Sequence, residues 1–149
     1  MSVVITEEIP TPEETLDLYA SVGWVAYTKD PDALMDALRG STYVLSARNE
    51  TGSLLGLARV ISDNTTIAYV QDILVNPESH RSGIGSALMD EILSRSTDIR
   101  QIVLLTDTEP EQRAFYESKG FTEIHEVEPA PLRGFVLLKD ADSVKLLDE

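Results

Sequence analysis

The apolar residues of this chain recur with two spacings, one typical of strands and one typical of helices. Residues 2–8 (SVVITEE) suit a short edge strand. Thr11 followed by Pro12 is typical of an N-cap and a first helical residue, because proline is preset for that position and lacks an N–H that would go unpaired. This pair predicts a helix that runs to about Val22.

The same start signal recurs at Asp30 and Pro31, after the segment GWVAYTKD. The predicted second helix ends at Gly40. Its apolar face is formed by Leu34, Met35 and Leu38.

Three segments with strand character follow, at residues 42–48, 53–62 and 65–75. Turn residues separate them, Asn49 to Gly52 in the first connection and Asp63 with Asn64 in the second. Short connections between successive strands predict an antiparallel meander.

The second half of the chain alternates between the two spacings. Residues 86–96 form an amphipathic pattern whose apolar positions are Ala87, Leu88, Ile92 and Leu93. The apolar run 101–106 is typical of a buried, parallel strand. A helix over 110–120 and two last strands, FTEIHEV (121–127) and GFVLLKD (134–140), complete the prediction. We expect an α/β fold (α+β, mixed sheet) of order β-α-α-β-β-β-α-β-α-β-β, as a single domain over 1–149.

The composition excludes some kinds of catalytic and metal site. The chain has 149 residues, 42% of them hydrophobic, and no cysteine, which excludes disulfides, thiolate metal sites and a cysteine nucleophile. Its formal charge of −14, from 26 acidic and 12 basic residues, should repel nucleic acid and anionic membranes and attract cations. The alternative is that the acidity only keeps the protein in solution.

The segment VQDILVNPESHRSGIGSALMDEIL runs from an apolar strand through a glycine loop into a helix. Unpaired N–H groups at a helix start attract anions, and Gly83 and Gly85 let a phosphate approach the backbone without a Cβ in the way. A Walker loop does not fit, because it needs lysine and then serine or threonine after its last glycine, whereas Gly85 is followed by Ser86 and Ala87. A Rossmann site does not fit either, because it lies near the first strand and has three glycines, whereas this loop follows a meander. The loop therefore predicts a pyrophosphate site, with His80 and Arg81 as further donors. The alternatives are a plain turn for the loop and an exposed loop residue for His80.

At HRSGIG the chain resembles the GCN5-related N-acetyltransferase superfamily (GNAT), whose signature is Gln or Arg, two residues, Gly, one residue, then Gly or Ala. ILVNPE before the loop and AFYESKGF after it are similar to that family too. The strings SVGWVAYT, GLARVISD and VQDILVNPE look like its small arylalkylamine N-acetyltransferase-like members. Two positions depart from the pattern, His80 at the first signature position and Glu109 where many members carry an asparagine.

The resemblance implies that acetyl-coenzyme A binds as co-substrate, without a metal. The implied strand splay would free main-chain groups of Ile73 and Val75 to pair with the thioester and pantetheine, an oxyanion-type arrangement. The donor-binding residues that we expect are Ile73, Leu74, Val75, His80, Arg81, Ser82, Gly83, Ile84, Gly85, Ser86, Glu109 and Phe115.

Two residues are candidates for proton handling. The resemblance places Tyr116 near the coenzyme sulfur, where a phenol can stabilise or protonate a thiolate; the alternative is that Tyr116 and Phe115 only pack their helix. Asp72 is the one carboxylate in an apolar strand, so it is a candidate base or cation binder, or else a structural aspartate. Strict alternation puts Asp72 on the face of Val70 and Leu74, so only a bulge or splay would bring it to one centre with Ile73.

On the acceptor side, the resemblance points to GWVAYT, where Trp24 and Tyr27 are expected to line an amine pocket or, alternatively, to be core aromatics. His125 is interpreted as an ordinary strand residue. The spacing of histidines and acids indicates no metal site.

The sequence therefore predicts an N-acetyltransferase that moves an acetyl group to the primary amine of a small cationic acceptor. The alternatives are a protein N-terminal or lysine acetyltransferase and a non-catalytic coenzyme-A-binding sensor. We expect no nucleic acid or membrane partner, and a homodimer stays open. The N-terminus lacks the features of a signal peptide, so the expected location is the cytoplasm.

Overall fold

A computed structural model of the chain describes residues 2–139. This part of the chain contains five strands and five α-helices. In chain order they are β1 (Val4–Glu7), α1 (Pro12–Ser21), α2 (Val25–Thr28), α3 (Pro31–Arg39), β2 (Tyr43–Arg48), β3 (Leu54–Ser62), β4 (Ile67–Val75), α4 (Ile84–Arg95), β5 (Gln101–Leu104) and α5 (Pro110–Ser118). The short helix α2 was not predicted from the sequence.

The strands form one sheet in the order β1-β2-β3-β4-β5. Neighbouring strands are antiparallel from β1 to β4, which confirms the predicted meander, and β5 runs parallel to β4. The fold is thus a mixed α/β structure with a five-stranded sheet and flanking helices, as the sequence indicated.

The helix starts follow the capping signals of the sequence. The Thr11 hydroxyl accepts the Glu14 N–H at 3.2 Å, and the Glu14 carboxylate accepts the Thr11 N–H at 3.1 Å, which is a capping box. Asp30 accepts the Ala33 N–H at 3.1 Å at the start of α3. Each cap contributes about 1 kcal/mol to helix stability.

The sheet buries a different set of apolar residues on each face. Helix α4 covers one face, where the buried core comprises Leu45, Ala47, Ala58, Val60, Ala68, Val70, Ile84, Leu88, Met89, Ile92 and Tyr116. Helices α1 and α3 cover the other face, where the core comprises Leu18, Tyr19, Leu34, Met35, Leu38, Val44, Leu57 and Leu74. Both cores contribute to the walls of the site described below.

A β-bulge at Gln71 changes which face the residues of β4 present. Arg59 on β3 is opposite Asp72, but the next residue, Val60, is opposite Val70, so Gln71 is left over. Val70 consequently belongs to the α4 face, whereas Asp72 joins Leu74 on the α1–α3 face. The expectation that Asp72 shares a face with Val70 is wrong, because an extra residue shifts the alternation.

The two last strands of the predicted order are also wrong. Within the described residues, 121–127 contains a 3₁₀ turn at Ile124–Glu126 and 134–139 forms no strand; Asp140, the end of the second predicted strand, lies outside the described part. Arg113 of α5 forms ion pairs with Glu123 and Glu126, both at 2.8 Å, which hold this turn against the helix. An alternation of apolar and polar residues favours a strand only when a neighbouring strand can pair with it. His125 therefore lies in the turn and not in a strand.

Candidate active site

Strands β4 and β5 separate partway along the sheet. They pair only over Ile67–Val70 and Gln101–Leu104. Beyond Val70, β4 continues to Val75 alongside β3, while the chain leaves β5 after Leu104. The described structure therefore contains the divergence of neighbouring strands that the family resemblance implied, and two cavities open beside it.

The first, here called the loop cavity, has a volume of about 430 Å³ and lies between the glycine loop, the end of β4 and α5. Ten of the predicted donor-binding residues line it: Ile73, Leu74, Val75, His80, Arg81, Gly83, Ile84, Gly85, Ser86 and Phe115. Val22, Trp24, Ser79, Gln112 and Tyr116 complete the wall.

The glycine loop presents its backbone to this cavity. Gly83 is the N-cap of α4, has a φ of +86° and provides no side-chain cap, so the first N–H groups of the helix lack the acceptor that a side chain usually supplies. A Cβ at Gly85 would lie 3.8 Å from Val75 Cγ2 and 4.0 Å from Phe115 Cζ. The fold itself tolerates a side chain at Gly85, and that side chain would enter the loop cavity.

The side chains around the loop differ in whether they already have a hydrogen-bond partner. Arg81 lines the cavity and has no ion pair or hydrogen bond within residues 2–139, so its guanidinium is available to an anion. His80 places Nε2 3.1 Å from the Val75 carbonyl oxygen, and Ser82 donates its hydroxyl to the Ser79 carbonyl. Ser82 and Glu109 line neither cavity; Glu109 is the N-cap residue of α5.

The second, here called the aromatic cavity, has a volume of about 310 Å³ and adjoins the ends of β4 and β5. Aromatic, apolar and acidic side chains share its wall. The lining residues are Trp24, Tyr27, Tyr69, Val70, Gln71, Asp72, Ile73, Leu104, Leu105, Thr106, Asp107, Gln112, Tyr116, Val136 and Leu138.

Four residues line both cavities, namely Trp24, Ile73, Gln112 and Tyr116. The Tyr116 side chain is 8% exposed, and its hydroxyl has no hydrogen-bond partner among residues 2–139. Burial raises the pKa of Tyr116 to about 12, and the nearby Asp107 charge adds to the effect. The phenol is therefore a protonated, unengaged donor where the two cavities meet.

Asp72 is held by three donors. The Arg59 Nε donates to Oδ2 at 2.6 Å, the Tyr19 hydroxyl donates to the same oxygen at 2.9 Å, and the Tyr27 hydroxyl donates to Oδ1 at 2.8 Å. Asp72 is 3% exposed. Both oxygens are thus engaged and the charge is compensated, which favours the structural alternative for this residue.

Trp24 and Tyr27 pack with Tyr19 in an aromatic cluster. The ring centroids of Tyr27 and Tyr19 are 5.0 Å apart, and those of Trp24 and Tyr19 are 5.8 Å apart. The Trp24 Nε1 is buried and has no hydrogen-bond partner among residues 2–139. These rings pack against the α1–α3 core, as the core alternative expected, and they also form cavity wall. That this cavity holds an amine stays a prediction.

Gln112 and Asp107 are two polar residues of the aromatic cavity that were not predicted from the sequence. Gln112 lies four positions before Tyr116, which is one turn along the same face of α5, so helical spacing pointed to it. Asp107 lies in the connection between β5 and α5 and follows a strand parallel to β4, where the carboxyl ends of strands commonly present functional groups.

Comparison with known proteins gives a consistent result. Residues 13–130 match the family described as acetyltransferase (GNAT) domain. A GNAT-family acetyltransferase from Streptococcus pneumoniae TIGR4 superposes with a TM-score of 0.78 at 31% identity, covering 93% of this chain and 98% of that one.

Two curated relatives carry more specific names. Histone acetyltransferase TAP1 of Glycine max is 28% identical over 81% of this chain and 55% of its own length. Serotonin N-acetyltransferase 2, chloroplastic, of Oryza sativa subsp. japonica is 26% identical over 87% of this chain and 63% of its own length. The chain therefore spans little more than half of either relative.

Proposed function

This chain belongs to the GNAT acetyltransferase family, and we propose that it transfers an acetyl group from acetyl-coenzyme A directly to the primary amine of a small, cationic acceptor. The observation that carries the proposal is the meeting of two cavities at Tyr116 and Ile73, one beside an anion-binding helix start and the other lined by aromatic rings and carboxylates. Direct transfer needs such a junction, because donor and acceptor must be held together at the reacting atoms.

We assign the loop cavity to the donor. Its residues fit the coenzyme, since the start of α4 has no side-chain cap and Gly85 leaves room against the backbone. Arg81 adds a cation that has no ion pair among residues 2–139. Ile73 and Val75 lie along the part of β4 that β5 does not cover. The Val75 carbonyl oxygen is 3.1 Å from His80 Nε2, so the proposed contacts with the pantetheine come from the other main-chain groups of these two residues. Bound acetyl-coenzyme A supplies the thioester from which the acetyl group is transferred.

We assign the aromatic cavity to the acceptor. Trp24 and Tyr27 offer ring faces that attract a cation and pack an apolar chain. The cavity volume of about 310 Å³ suits a small amine. The net charge of −14 favours a positively charged acceptor.

Tyr116 is the proposed partner of the departing sulfur. A pKa of about 12 makes the phenol a weaker acid than a thiol of ordinary pKa about 8.5. Complete proton transfer from Tyr116 to the thiolate is then unfavourable. We propose that the hydroxyl instead stabilises the developing thiolate by donating a hydrogen bond.

Asp72 is proposed to act at a distance from the chemistry. To act directly as a base, the Asp72 carboxylate would have to lose its hydrogen bonds from Arg59 and from two tyrosine hydroxyls. Holding Tyr27 in the cavity wall requires no rearrangement. We therefore assign Asp72 to positioning.

A second acceptor class has one observation in its favour, the name of the soybean relative, a histone acetyltransferase. A basic peptide would also be attracted by an acidic protein. The aromatic cavity, however, is suited to a single amine and its attached chain, so the small acceptor is the preferred proposal.

A thiol-release assay with acetyl-coenzyme A tests the proposal and separates it from a non-catalytic coenzyme sensor. We expect release to depend on added primary amines, and to be faster with arylalkylamines than with basic peptides of equal concentration. If the protein binds the coenzyme and neither amines nor peptides cause thiol release, it is a non-catalytic sensor.

We propose a cytoplasmic location. In the described part of the chain, no helix has the length and apolar character needed to cross a membrane. The name of the rice relative includes the word chloroplastic, and this location is a statement about the relative alone.

A further inference from the structure

Among residues 2–139, two carboxylates line the aromatic cavity, Asp72 and Asp107. Asp72 is neutralised by Arg59 at 2.6 Å. Asp107 forms no ion pair among residues 2–139, and no lysine or arginine lines this cavity. The uncompensated negative charge of the acceptor cavity is therefore that of Asp107.

The bonding of Asp107 leaves it able to accept from a ligand. Its Oδ1 accepts the Glu109 N–H at 3.0 Å, and its Oδ2 has no partner among the described residues. The residue is half-buried, so a bound cation would be partly shielded from water. Charge-assisted hydrogen bonds are stronger in such surroundings than in solvent.

The position of Asp107 is also suited to the acceptor. It follows β5 by three residues, on the side of the gap opposite the free end of β4. Asp107 and Tyr116 line the same cavity, and the Asp107 charge helps to raise the pKa of the Tyr116 phenol. An ammonium group bound by Asp107 would therefore lie in the cavity that reaches the junction with the donor cavity.

We propose that Asp107, and not Asp72, recognises the ammonium group of the acceptor and so selects primary amines attached to an apolar or aromatic chain. This inference rests on the proposed function and names the residue that determines its substrate class. Trp24 and Tyr27 accommodate the chain of the amine, and Asp107 binds its charge.

A competing explanation is that Asp107 only shapes the connection to α5 through the Glu109 N–H. Asp107→Asn keeps an oxygen that can accept this bond and removes the charge. Asp107→Ser provides a second variant, since a serine hydroxyl can accept the same N–H. Asp30→Asn is a matched control, because Asp30 also accepts one backbone N–H, lines neither cavity and carries the same charge.

The experiment uses calorimetry on the protein saturated with coenzyme A, so that no acetyl transfer occurs. The probes are 2-phenylethylamine and its uncharged analogue 2-phenylethanol. We expect the parent and Asp30→Asn to bind the amine about tenfold or more tightly than the alcohol, as a charge-assisted bond would give. Asp107→Asn and Asp107→Ser should lose this preference while binding the alcohol and the coenzyme as the parent does.

A parent that binds amine and alcohol equally, or Asp107 variants that keep the preference, would overturn the inference. Turnover with acetyl-coenzyme A separates this result from the proposed function. Acetyl transfer that is unaffected in the Asp107 variants refutes the role of Asp107 alone. Amine binding that depends on Asp107, without acetylation of any amine, refutes the proposed function and retains the binding site.

Discussion

Arg59 and Asp72 form a buried ion pair across two neighbouring strands, with the Arg59 Nε 2.6 Å from Asp72 Oδ2 and side chains that are only 7% and 3% exposed. The Tyr27 hydroxyl closes the arrangement, since it accepts from the Arg59 Nη2 at 3.2 Å and donates to Asp72 Oδ1 at 2.8 Å. The wall of the aromatic cavity therefore depends on a network of charges and hydrogen bonds that lies within the core.

Removing the charge of Asp72 should destabilise the fold. Asp72→Asn leaves the Arg59 guanidinium buried without a counter-charge, and we expect the free energy of unfolding in urea to fall by about 3–5 kcal/mol. Asp36→Asn is the control, because its ion pair with Arg39 is exposed and should be worth less than about 1 kcal/mol. An Asp72→Asn protein as stable as the parent but slow in acetyl transfer would instead make Asp72 a base.

The loop cavity is tested by a side chain at Gly85. Gly85→Val should fold, because the added Cβ meets only ordinary contacts, yet it should abolish measurable binding of acetyl-coenzyme A in calorimetry. Gly40→Ala is the control, since Gly40 lies outside both cavities. Gly83 is a poorer test, because its φ of +86° makes any substitution strained. A folded Gly85→Val protein with parental affinity would remove the donor from this loop.

Tyr116→Phe should lower turnover by about 10²-fold while leaving the coenzyme affinity nearly unchanged, because only the hydroxyl acts on the sulfur. The ring would keep its edge contacts with Phe115 and Phe121. Tyr43→Phe removes a hydroxyl outside both cavities and should leave turnover as it is. Equal rates for Tyr116→Phe and the parent would return Tyr116 to a packing role.

The raised pKa of Tyr116 has a consequence for the pH profile. Because the folded-state pKa of about 12 lies above the ordinary value of about 10, the phenol stays protonated as pH rises through that range. We expect kcat/KM to rise from about pH 7 as the acceptor loses its proton, with no fall from Tyr116 near about pH 10. A descending limb near pH 10 that disappears in Tyr116→Phe would contradict this state of the phenol.

Local signals in the sequence were sufficient for most of the fold. Thr11 and Asp30 marked helix starts, the turns at Asn49 and Asp63 produced the meander, and the glycine loop led into α4 as expected. These features depend on neighbouring residues alone, so the sequence carries them directly.

Features that depend on distant partners were not accessible in the same way. The bulge at Gln71 arises from the pairing of β4 with β3, and the C-terminal segment follows the ion pairs of Arg113 instead of its own alternation. Asp72 attracted attention as a lone acid in an apolar strand, but its partner Arg59 lies thirteen residues away on another strand. Asp107 follows a strand that was predicted to be parallel, but its significance depends on the gap between β4 and β5, which no local pattern shows.

The most direct test of the account is the product of the reaction. Purified protein is incubated with acetyl-coenzyme A and 2-phenylethylamine, and both the free thiol and the acetylated amine are quantified by mass spectrometry, with Tyr116→Phe in parallel. We expect equal amounts of thiol and N-acetylated amine, formed in proportion to the enzyme and much more slowly by the variant. Coenzyme binding without acetylation of 2-phenylethylamine, or of any other primary amine tested in the same way, would contradict the proposed function.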